Sequence, residues 1–96
     1  MNIWESDTTH CHARRIGGIV YVRCEVWNGT RPGSDWTEFT RLPDGMKPDR
    51  GVYATGSSLT GHWPVNVHID TSGLISVITE GSNIAYWTFS AAFPAA

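Results

Sequence analysis

Apolar and polar residues alternate along this chain in short runs. In Ile19-Val20-Tyr21-Val22-Arg23-Cys24-Glu25-Val26, the residues Val20, Val22, Cys24 and Val26 share one face and Tyr21, Arg23 and Glu25 the other. A second run over 9–16 precedes it, and Gly17-Gly18 between them reads as a two-residue hairpin turn. In that register Cys11 faces Cys24, and Ala13 joins the same inner face. Val65-Asn66-Val67-His68-Ile69-Asp70 alternates equally well and turns at Thr71-Ser72-Gly73 into Leu74-Ile75-Ser76-Val77-Ile78-Thr79. Its Val65, Val67 and Ile69 are expected inward, with Asn66, His68 and Asp70 outward. Shorter strands are predicted over Trp36–Leu42 and Gly51–Thr55, and a C-terminal one over Asn83–Phe93. No stretch keeps a helical period over three turns. The pattern predicts an all-β fold, a compact antiparallel β-barrel or sandwich of jelly-roll type, in a single domain over 1–96.

Composition narrows the partners. Ninety-six residues with 41% apolar content form one domain near the lower limit for a self-sufficient core. Oligomerisation, metal or disulfides are the usual supplements at this size. A formal charge of −2, with Lys and Arg scattered apart from Arg14-Arg15, excludes the clustered basic surface that nucleic-acid binding needs. No apolar run approaches the roughly 18 residues of a membrane span, so no membrane insertion is expected. The N-terminus lacks the pattern of a signal peptide. A bond between the facing Cys11 and Cys24 is geometrically possible, but without a secretion signal two small buried thiols are expected.

Between the strands lies Leu42-Pro43-Asp44-Gly45-Met46-Lys47-Pro48, a turn flanked by prolines. It follows the Gly-Gly-Ile-Val-Tyr-Val strand and precedes Val52-Tyr53-Ala54. The hairpin through Ile69-Asp70-Thr71-Ser72-Gly73-Leu74-Ile75-Ser76-Val77 comes next, and a last strand ends at Phe93-Pro94-Ala95-Ala96. Over residues 16 to 96 this succession resembles the C-terminal head domains of bacteriophage tail-fibre and baseplate receptor-binding proteins, such as those of lactococcal siphophages. The resemblance implies a host-adhesion head, homotrimeric, that binds cell-surface saccharide without catalysis or cofactor. It further implies a virion tail-tip location after synthesis in the host cytoplasm. Residues 1–8 then read as a lead-in from an N-terminal shaft that would join other tail or baseplate proteins. The alternative is a purely structural virion module, a trimer clamp or decoration domain without ligand.

Sugar recognition needs aromatic faces against the apolar side of a pyranose and polar side chains that bond its hydroxyls. Asp35-Trp36 and His62-Trp63 place aromatics at loop–strand junctions, and Arg50, His68 and Asp70 are candidates to complete such a site. The competing reading makes both tryptophans caps on the ends of the core. Trp27 falls on an outer phase, Trp87 is expected in the core or a subunit contact, and Trp4 in an interface. His10 and His12, alternate residues of the predicted 9–16 strand, share a face, and three such pairs about a threefold axis would surround a metal. Arg14 and Arg23 on that face oppose it, and solvated histidines are expected. No nucleophile elbow occurs, so no enzyme is predicted. Asn28-Gly29-Thr30 is read as a turn rather than a glycosylation site.

Overall fold

The computed structural model describes residues 3–6, 10–27, 31–58, 63–81 and 84–96. Eight strands follow in chain order: β1 (Ile3–Ser6), β2 (Cys11–Ile16), β3 (Ile19–Trp27), β4 (Thr37–Arg41), β5 (Val52–Ser58), β6 (Pro64–Ile69), β7 (Leu74–Thr79) and β8 (Tyr86–Pro94). All pair antiparallel in one sheet of order β1-β2-β3-β8-β5-β6-β7-β4. The choice between barrel and sandwich resolves into one sheet curled into a half-barrel around its own apolar face. A radius of gyration of 12.6 Å matches the roughly 13 Å of a compact domain this size.

The first hairpin has the predicted register, with Cys11 opposite Cys24, Ala13 opposite Val22 and Ile16 opposite Ile19. Gly17 sits at φ 61° while Gly18 does not take a positive φ, the pattern of a type II′ turn, whose twist matches that of the flanking strands. Inward on β3 lie Val20, Val22, Cys24 and Val26, and opposite them on β8 stand Phe93, Ala91, Phe89 and Trp87. β6 and β7 contribute Val65, Val67, Ile69, Ile75 and Val77, all fully buried. Trp87 is wholly enclosed, with Phe89 stacked beside it and Phe39 edge-on at 4.9 Å.

β8 joins the two halves of the sheet. It pairs with β3 along its whole length but with β5 only at Ser57–Thr88 and Ser58–Trp87. Where the two strands cross, Gly56 is required: a Cβ there would lie 2.0 Å from the Thr88 carbonyl oxygen. Past the crossing the strands diverge, and the Leu42–Pro48 segment fills one end of the half-barrel. The Met46 amide donates to the Pro43 carbonyl at 3.1 Å, and Leu42 and Met46 are buried. Arg15 ties the first hairpin to this plug by donating from Nη1 to the Gly45 carbonyl at 2.8 Å. Pro48 bridges to Ala95, and the Ala95 amide donates to Gly18 at 2.8 Å.

One expectation is corrected here. Cys11 and Cys24 are joined in a disulfide rather than left as thiols. The neighbouring Glu25 amide donates to the His10 carbonyl, so the cysteines occupy the adjacent non-hydrogen-bonded pair, where facing Cα atoms come closest, here 4.2 Å apart. The local pairing geometry brings the sulfurs together.

Candidate functional site

The outer face of β5, β6, β7 and β4 carries a strip of aromatic rings. Tyr53 on β5 and His68 on β6 are cross-strand partners, and their rings stack at 4.5 Å with 25° between planes. Trp36, just before β4, sets its indole edge-on to the same imidazole at 6.2 Å. His68 in turn faces the small Ser76 on β7, which faces Glu38 on β4, so nothing bulky separates Trp36 from the imidazole. Tyr53 is 76% exposed and Trp36 49%. Large aromatics left in water on a folded surface are unusual enough to point to a contact surface.

Beside the strip lies a cleft of about 490 Å³ whose lining includes Ser34, Pro64, Asn66, Ile78 and Glu80. Asn66 stands two residues before His68 on the same face of β6. The Thr55 hydroxyl donates to the Asn66 side-chain oxygen at 3.4 Å, which leaves the amide NH₂ as an outward donor. Ser34 and Glu80 add a hydroxyl and a carboxylate. An aromatic strip with paired donors and acceptors along one edge can hold a flat, polyhydroxylated ring: apolar C–H faces on the rings, hydroxyls on the amide and carboxylate.

The residues predicted from sequence divide between this site and the frame. Trp36 and His68 are brought together. Asp35 is exposed at the Trp36 end, its carbonyl accepting from the Thr37 hydroxyl. Arg50 is exposed at the other end, one residue before Gly51, where a Cβ would approach the His68 Nε2 to 3.1 Å. Asp70 belongs to the β6–β7 turn: its Oδ1 accepts from the Ser72 amide at 2.9 Å, the Ser72 hydroxyl at 2.5 Å and the Leu74 amide at 3.1 Å. The Ser72 hydroxyl above all holds the Asp70 carboxyl below the usual carboxylate range; burial, the next largest effect, opposes it, and the Leu74 and Ser72 amides and Arg41 add to the lowering. Its bonding is spent on the turn. Trp63 is 43% exposed and sets its indole against Gly81, where a Cβ would lie 2.5 Å from Cγ. Its backbone exchanges hydrogen bonds with Ser58. His62, like the Asn28–Thr30 sequence, lies outside the described residues.

Tyr53, Asn66 and Ser34 were not singled out as candidates. Tyr53 was findable, since an aromatic between Val52 and Ala54 falls on the outward phase of that strand. Its meeting with His68 depends on a pairing across the loop between β5 and β6, which alternation does not encode. His10 precedes β2 in a left-handed turn at φ 53°, so strand alternation does not set its side chain beside that of His12. His12 faces Glu5, with Nδ1 and Oε1 3.5 Å apart. Among the described residues no group of three metal-ligating side chains forms.

No protein-family model matches the chain, and no curated protein matches it.

Proposed function

We propose that this domain is a non-catalytic binding head that takes cell-surface saccharide on the Trp36–His68–Tyr53 strip. The observation that carries the reading is that strip, exposed across four strands and bordered by a polar cleft. The order of motifs from Gly17 to Ala96 supports placing it at the tip of a bacteriophage tail fibre or baseplate. The disulfide supports the same location, because such bonds persist on virion surfaces and not in reducing cytosol.

The test is a glycan array followed by calorimetry on the strongest hit. Trp36→Ala and Tyr53→Ala should each weaken binding by about tenfold with the melting temperature nearly unchanged. Trp63→Ala should instead lower stability. Failure of the folded domain to bind any glycan, or full affinity in both strip variants, overturns the reading. A structural virion module is the second reading, favoured by exposed apolar side chains such as Ile16 and Trp27, which a homotrimer would cover. A trimer by light scattering that binds no glycan would select it.

A further inference from the structure

The other half of the sheet carries a groove of about 720 Å³ on its outer face, crossing β1, β2, β3 and β8. Ligand sites fall in roughly the 300–1,000 Å³ range. Strand register builds it from two parallel rows. One row is Ile3, Arg14, Tyr21 and Ala92, each opposite the next across a ladder. The other is Glu5, His12, Arg23 and Ser90. At β8 both rows end in small side chains, so Tyr21 and Arg23 stand as a wall over a recess floored by Ser90 and Ala92.

The charges are unevenly matched. Glu5 is opposed by His12 at 3.5 Å, and Arg23 donates to Glu25 at 2.6 Å. Arg14, exposed in the middle of the apolar row, has no hydrogen-bond or ion-pair partner among the described residues. Among the described residues Glu25 is paired with Arg23 and Glu5 lies against His12, and the Arg14 guanidinium is left over. A guanidinium fork binds a carboxylate through two parallel hydrogen bonds. Tyr21, 49% exposed, offers a ring beside it, and the Ser90 hydroxyl lies on the floor. Glu5 in the lining disfavours a polyanion, so the complementary ligand carries a single negative charge.

We infer that this groove is a second binding site, separate from the aromatic strip, and that it takes a monocarboxylated sugar ring of the hexuronic acid class. The carboxylate pairs with Arg14, the ring lies along Tyr21, and the hydroxyls reach Ser90. The inference does not rest on the strip binding anything, since the two sites share no residue.

The experiment is a titration of the ¹⁵N-labelled domain with D-glucuronate and, separately, D-glucose. Glucuronate should shift amide signals around Arg14, Tyr21 and Ala92 saturably, with at least tenfold weaker response to glucose. Arg14→Met, which keeps the aliphatic stem, should remove the response, and Arg14→Lys, which loses the fork, should weaken it. Tyr53→Ala should leave it intact, which separates this site from the strip. Equal response to glucose, no response, shifts centred on Tyr53 and His68, or an undiminished response in both Arg14 variants overturns the inference. So does occupation of the groove by a second copy, seen as concentration-dependent shifts of the same amides without ligand. If Arg14→Met does not fold, the Arg14→Lys titration carries the same decision.

Discussion

His68 and Asp70 lie two residues apart on one face, yet their chemistry differs because their neighbours do. His68 has rings on two sides and belongs to a surface, whereas Asp70 is enclosed by the amides and hydroxyl of its own turn. The Asp70 carboxyl is held below its ordinary range in the folded protein, so the unfolded chain takes up the proton first as pH falls. Its stabilising contribution is complete above about pH 4 and is lost as pH drops through the lower folded value. Asp70 is half-buried in a surface turn, where solvent screening holds that contribution to less than about 1 kcal/mol. Thermal melts between pH 2 and 6 should show a steeper acid loss for the parent domain than for Asp70→Asn. Coincident slopes would show that the turn does not depend on the charged form.

At the scale of elements, each hairpin is set by local chemistry and the join between halves by a single close approach. Gly17 fixes the β2–β3 register, and the Asp70 carboxylate fixes the β6–β7 turn, where the Gly73 amide donates to the Asp70 carbonyl at 2.9 Å. Both are readable from short sequence. The β5–β8 crossing is not, because Gly56 and Thr88 are far apart in the chain and Gly56 carries no turn signature. Gly56→Ala places a methyl against backbone that cannot rotate away. The substitution should cost about 3 kcal/mol, seen as a fall in melting temperature of more than about 10 °C. A Gly56→Ala domain that melted like the parent would mean that the two strands separate without cost.

For the whole molecule, the balance of a small core against chain entropy gives the disulfide its weight. It closes a separation of 13 residues, which corresponds to about 3 kcal/mol of lost unfolded-chain entropy. Cys11→Ala/Cys24→Ala, or the parent domain under reductant, should melt on the order of 10 °C lower. An unchanged melting temperature would assign the stability to the sheet alone. Alternation and turn residues by themselves determined the all-β class, the two hairpins and which residues of β2, β3 and β6 face inward. They could do so because a pleated strand with one buried face must alternate and because tight turns demand particular residues. Only the tertiary structure decided that β8 bridges two halves, that Trp63 meets Gly81 and that Trp36 reaches His68. It alone set Tyr53 on the imidazole and left Arg14 without a partner among the described residues. Those outcomes depend on which strands lie side by side, and strand order is set by long-range packing that no local pattern records.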